Sequence, residues 1–140
     1  MNSKNLHSHL TLPKKAVLLV EDSESLRVLM SNMLGKTFEV TSARNGLEAM
    51  TWLHSGLLPD VIVTDVLMPE LDGRQLLSGL RNSGMYQNIP VVVVSGSCEK
   101  AELDLIRSLG ANDILPKPFK PAELYSSLNR LMSPGLAAAA

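Results

Sequence analysis

Four short apolar runs deliver chemically capable side chains at or just beyond their ends. AVLLV (16–20) is followed by Glu21 and Asp22, VIVTD (61–65) ends in Asp65, VVVVS (91–95) ends in Ser95, and DIL (113–115) leads to Lys117. Three carboxylates brought to one place repel one another, and their ionised forms need a compensating cation. Hard oxygen ligands with open coordination suit Mg²⁺, which keeps waters and takes phosphate oxygens as further ligands. A carboxylate is also a nucleophile toward phosphorus, giving an aspartyl phosphate. The oxygens of a transferring phosphoryl group then need counter-charge, from Mg²⁺, from Lys117 and from the Ser95 hydroxyl.

These residues meet only if the apolar runs are strands of one sheet. Three of the runs are nearly continuous in Val, Leu and Ile, as parallel strands covered on both faces require, and FEV (38–40) is a shorter fifth. Between them lie stripes at helical spacing: Leu26, Met30, Met33 and Leu34; Leu47, Met50, Leu53 and Leu57; Leu76, Leu77 and Leu80; Leu105, Ile106 and Leu109; Leu124, Leu128 and Leu131. Ser23 is placed to cap the first helix, Gly35, Gly56 and Gly110 follow stripes where a left-handed residue is wanted, and Pro59, Pro90 and Pro121 stand at element starts. Alternation of this kind predicts an open, doubly wound α/β domain of five parallel strands and five helices over residues 14–132. In such a sheet, ligands bind beyond the carboxyl ends of the strands, where the strand order reverses.

The chain's 140 residues leave room for one domain, and 45% hydrophobic with 19% charged residues is ordinary for a globular one. A net charge of −1 gives no electrostatic footprint for nucleic acid or an anionic membrane surface, and no apolar run reaches the 18 residues of a membrane span. Residues 1–13 are polar and read as a disordered leader in which His7 and His9 are solvated; residues 133–140, SPGLAAAA, read as a tail or the start of a linker. The single Cys98 has no partner and reads as an unpaired thiol in a reducing cytoplasm. Trp52, beside the second stripe, reads as a partly buried packing residue, and Ser97 as a hydroxyl that caps the following helix or assists the reaction.

Taken in order, LLVEDS, VIVTDVLMPELDG, VVVVSGS and PKPF resemble the receiver domain of two-component response regulators, of the chemotaxis-regulator kind. Thirty residues separate Asp65 from Ser95 and twenty-two separate Ser95 from Lys117, as that family expects. The resemblance implies a flavodoxin-like strand order 2-1-3-4-5 and a phosphorylation-dependent switch rather than an enzyme acting on a separate substrate. It implies Asp65, Ser95 and Lys117 as catalytic residues, and a Mg²⁺ site of Glu21, Asp22, Asp65 and the backbone carbonyl of Leu67. It also implies a cis Lys117-Pro118 bond and a loop turning at Gly73. The phosphoryl donor would be a sensor histidine kinase or a histidine phosphotransfer protein. The output would go to a downstream protein target or to an effector domain absent from this chain.

Two positions depart from the family pattern. Ile114 stands where many relatives carry Tyr or Phe, and a β-branched residue is stiff at χ1 and has no polar tip, so an aromatic switch coupled to Ser95 is not available. Leu67 puts an apolar side chain where a polar one would orient an attacking water, which predicts slow self-hydrolysis. The same residue argues against a hydrolase with an aspartyl-phosphate intermediate, which needs a second carboxylate there. A receiver-like module that never takes phosphate is the third reading, and the intact acceptor set argues against it. An apolar output patch is expected from Leu103, Ile114 and Tyr125.

Overall fold

The structure is a computed structural model and describes residues 13–97 and 99–133; the leader with His7 and His9, Cys98, and the tail beyond Ser133 lie outside the described residues. Five strands, β1 (Ala16–Val20), β2 (Glu39–Ala43), β3 (Val61–Asp65), β4 (Val91–Ser95) and β5 (Asp113–Pro116), alternate with five helices. The helices are α1 (Glu24–Leu34), α2 (Gly46–His54), α3 (Gly73–Arg81), α4 (Lys100–Ser108) and α5 (Pro121–Leu131). All strand pairs are parallel and the order is β2-β1-β3-β4-β5, the expected 2-1-3-4-5.

The near-continuous apolar strands are explained by two cores. Leu18, Val20, Ile62, Val91 and Val93 meet Leu53 of α2, Leu76, Leu77 and Leu80 of α3 and Ile106 of α4. The alternate residues Val17, Leu19, Val61, Val63, Val92 and Val94 meet Met30 and Leu34 of α1 and Leu124 and Leu128 of α5. Period-2 alternation therefore sends neighbouring side chains into opposite layers, and each fully buried aliphatic side chain contributes about 1.5–3 kcal/mol. Strand β1 pairs with β2 on one side and β3 on the other, so the order reverses at β1 and opens a crevice at the carboxyl edge.

Several local expectations are corrected. Strand β2 runs from Glu39 and not from Phe38, whose ring is buried and stacked on Tyr125 with centroids 6.0 Å apart. Backbone pairing with β1 carries this edge strand on through Thr41 and Ser42, where the apolar pattern has already ended. Gly35 is right-handed, with φ −64°; only Gly56 (φ 110°) and Gly110 (φ 108°) take the left-handed role. Leu47 is exposed, because α2 turns Gly46, Ala49 and Leu53 inward, with the Gly46 N–H donating to the Leu71 carbonyl. Leu105 is likewise exposed, leaving Ile106 as the buried residue of α4. Trp52 is 42% exposed as a residue, and its indole N–H donates to the Ser42 carbonyl at 3.2 Å.

Two of the three residues expected in the output patch of Leu103, Ile114 and Tyr125 lie in different layers. Ile114 packs against the layer of α2, α3 and α4, whereas Tyr125 packs in the opposite layer and donates its hydroxyl to the Met33 carbonyl at 2.6 Å. Tyr125 is drawn to α1 because its neighbours Leu124 and Leu128 already fill that core.

Helix α5 is fastened to β5 by Asp113. One carboxylate oxygen accepts from Ser127 Oγ and Arg130 at 2.6 Å each, and the other accepts from the Ile114 N–H at 2.9 Å. Burial pushes this carboxyl up, but the Ser127, Ile114 and Arg130 hydrogen bonds together outweigh it and hold it below its ordinary 3.8. A depressed carboxyl stabilises the fold above its unfolded-state value and loses that contribution as pH falls through the folded-state one. Asp113→Asn is therefore less stable than the unsubstituted chain at neutral pH, and the gap narrows below pH 3.8. Urea denaturation across a pH series measures this; a gap independent of pH contradicts it.

Candidate functional site

Parallel register sets the site. Val20 lies opposite Thr64, so the next residues, Glu21 and Asp65, leave the sheet side by side. Ser95 faces Pro116, and its carbonyl accepts the Lys117 N–H at 2.8 Å, which brings the lysine to the same edge. The Lys117-Pro118 bond is cis.

The side chains converge as expected. Lys117 Nζ donates to Asp65 Oδ2 at 2.9 Å and lies 3.4 Å from Glu21 Oε1. Asp65 Oδ1 accepts the Val66 N–H at 2.7 Å, and Glu21 Oε2 accepts the Ser23 N–H at 3.0 Å. Carboxylate oxygens of Glu21, Asp22 and Asp65 all lie within 4.8 Å of one another. Asp22 is exposed, while the Glu21 and Asp65 side chains are 4% and 11% exposed. Ser95 is buried, and its Oγ accepts the Ser97 N–H at 3.1 Å, leaving its proton only a 3.4 Å contact to the Ser97 carbonyl. Ser97 does not cap α4; its hydroxyl accepts from the Glu99 N–H, and the N-cap Glu99 offers no side-chain bond.

Charge is unbalanced here. Burial first, and then the Asp65 charge, push the Glu21 carboxyl above its ordinary value, against the Ser23 N–H and Lys117. Burial would lower the Lys117 ammonium, but its hydrogen bond to Asp65 and the Asp65 and Glu21 charges raise it. Two carboxylates within 4.8 Å repel by roughly 3.5 kcal/mol at an effective dielectric of about 20. One lysine cannot neutralise three carboxylates, so a hard divalent cation fits both the donor set and the charge.

The surrounding loops are shaped to keep Asp65 reachable. Asp65, Ser95 and Lys117 line a cavity of about 570 Å³ with Leu67, Ser97, Arg74 and Glu102. Leu67 is 74% exposed and also borders the depression beside Asp22. Gly73 serves close approach rather than a special φ: a Cβ there would strike the Asp65 carbonyl, and its N–H donates to Val66 at 2.8 Å. The left-handed residue of this loop is Glu70, with φ 68°. Asp72 and Gln75 then form a reciprocal capping box that starts α3.

Three neighbours escaped the sequence reading. Arg27 donates to the Glu21 carbonyl at 2.8 Å and ties the acidic loop to α1. Arg74 and Glu102 lie 3.6 Å apart across the cavity. A lone arginine or glutamate on a helix looks like a solvated charge, and only the positions of Gly73 and Asp72 hint that Arg74 starts beside Asp65.

Comparison with known proteins follows the same line. The family model for the response regulator receiver domain matches residues 17–129. Chemotaxis protein CheY1 of Helicobacter pylori is 31% identical over 114 residues, covering 80% of this chain and 92% of that protein. Hybrid signal transduction histidine kinase D of Dictyostelium discoideum is 29% identical over 94% of this chain, which spans only 8% of that kinase. The chain spans 49% and 46% of two transcriptional regulators that it also matches. Among solved structures, the receiver domain of a sensor histidine kinase from Pseudomonas aeruginosa PAO1 superposes with a TM-score of 0.77 at 28% identity, covering 85% of this chain and 98% of that one. That domain has a magnesium ion coordinated in its active-site cleft.

The Gly73 contact separates two glycines of one helix. Gly73→Ala costs about 1–3 kcal/mol, as overpacking against backbone does. Gly79→Ala, with open space around it, stabilises by about 0.5–1 kcal/mol. Urea midpoints measure both, and equal shifts contradict the contact.

Proposed function

This chain belongs to the response regulator receiver domain family, and we propose that it works as a two-component phosphorylation switch whose acceptor is Asp65. The observation that supports this best is the placement of one Asp65 carboxylate oxygen on Lys117 within a cavity that also holds Ser95. Residues 14–132 form the receiver, and the donor is the phosphohistidine of a sensor kinase or a phosphotransfer protein.

An Asp65 carboxylate oxygen forms the new bond to phosphorus as the donor's phosphorus–nitrogen bond breaks. The bonding pair leaves with the imidazole nitrogen, which takes up a proton. Lys117 follows the charge from the carboxylate to the phosphoryl oxygens. The Ser95 proton, held only weakly, turns to another of them. Glu21, Asp22, Asp65 and the Leu67 carbonyl would hold Mg²⁺, which supplies the remaining counter-charge. The Asp65 backbone stays fixed, because Gly73 packs on its carbonyl and Thr64 Oγ1 donates to it at 2.9 Å.

The dianion written on Asp65 biases the surrounding loops by charge. Ile114 is half-buried in the α2–α3–α4 layer and brings no ring to the site. The readout therefore runs through backbone and helix movement toward a protein target or an effector outside this chain. No described helix is long and apolar enough to cross a membrane. A net charge of −1 gives no electrostatic footprint for nucleic acid, and the proposed location is the cytoplasm.

Incubation with phosphoramidate and Mg²⁺, read by intact mass, gives a single phosphoryl adduct that Asp65→Asn abolishes. An unmodified wild type contradicts the assignment. Leu67→Asn, which puts a polar group beside the acceptor, shortens the adduct's lifetime severalfold in a decay assay. An unchanged decay rate removes Leu67 from any part in hydrolysis.

A further inference from the structure

Among the described residues, Arg74 is the cation of the cavity that no hydrogen bond occupies. Of the two cations lining it, Lys117 already donates to Asp65 and to Glu21. Arg74 lies 3.6 Å from Glu102 Oε2 and 3.7 Å from Asp72 Oδ2, both beyond hydrogen-bond reach. Asp72 caps α3 through its other oxygen, Oδ1, which accepts the Gln75 N–H at 2.9 Å. The guanidinium is thus held by charge alone, on a residue directly after the glycine that packs on the Asp65 carbonyl.

Its partner sits where a small force matters. Glu102 is in the first turn of α4, a helix whose N-cap makes no side-chain bond and which buries only Ile106. Helix α3 by contrast buries four residues and has a complete capping box. Among the described residues, Arg74–Glu102 is the one ion pair between α3 and α4.

We propose that Arg74 is a ligand of the phosphorylated state: it leaves Glu102 for the phosphoryl oxygens on Asp65 and so releases the first turn of α4. This rests on Asp65 being the acceptor. A planar guanidinium binds two oxygens of a phosphoryl dianion at once, a far stronger contact than a single carboxylate beyond hydrogen-bond distance. The exchange gives the chain a readout that needs no aromatic residue at position 114.

The test is hydrogen exchange on the full chain, with and without phosphoramidate and Mg²⁺, each sample's phosphoryl occupancy being fixed by intact mass. Phosphorylation speeds exchange of the Leu103 N–H, which donates to the Glu99 carbonyl at 3.0 Å and closes the first turn of α4, about two- to fivefold, the scale of a partly exposed ion pair. Arg74→Ala and Glu102→Gln each show that faster exchange without phosphate, and neither gains more on phosphorylation. Arg74→Lys, which keeps the charge and loses the fork, restores part of the response. If α4 of Arg74→Ala still responds as the wild type does, the exchange of partners is refuted. A phosphorylated wild type with unmoved α4 refutes it as well while leaving the acceptor intact. A wild type that takes no phosphoryl group refutes both.

Discussion

Glu21 and Asp65 leave adjacent parallel strands at the same level, and Lys117 is what lets two nearly buried carboxylates stand there together. The constraint is electrostatic first: their repulsion exceeds what an exposed ion pair returns. The lysine is therefore brought within 2.9 Å of one carboxylate and 3.4 Å of the other. Its compensation is partial, since Asp22 adds a third carboxylate to the cluster. The unmet charge suits the cluster to a divalent cation.

The rest of the fold serves that arrangement. Two aliphatic layers fix β1, β3, β4 and β5 in register, so four residues far apart in sequence emerge at one edge. Asp113 ties α5 to the strand that leads to Lys117. Gly73 allows α3 to begin against the backbone of Asp65. The periphery is less constrained: α4 has one buried residue and an uncapped start. A firmly packed site edge beside a loosely held helix is a sound division for a switch, because rigid and yielding elements then lie next to each other.

Much of this was legible in the sequence, and the exceptions have physical reasons. Strands β1, β3 and β4 were readable because burial on both faces demands uninterrupted Val, Leu and Ile. The site residues followed from asking what each run ends with. Strand β2 was misplaced by one residue at its start and three at its end, since an edge strand is held by backbone pairing that the side chains of Thr41 and Ser42 do not reveal. Leu47 and Leu105 belong to apolar stripes by spacing, yet small Gly46 and Ala49 and a single Ile106 do the burying. Periodicity does not say which layer a helix covers, so it leaves Tyr125 on an outward face where the structure turns it toward α1. The Arg74–Glu102 pair spans elements twenty-eight positions apart, and no local pattern marks one charge as the other's partner.

The most direct test of the central claim is chemical trapping of the acyl phosphate. Borohydride reduces an aspartyl phosphate to homoserine, and peptide mass mapping then locates the converted residue. The account predicts homoserine at position 65 alone, formed only when Mg²⁺ and a phosphoryl donor are both present. Conversion at Asp22 or elsewhere, or at position 65 without the metal, would contradict it.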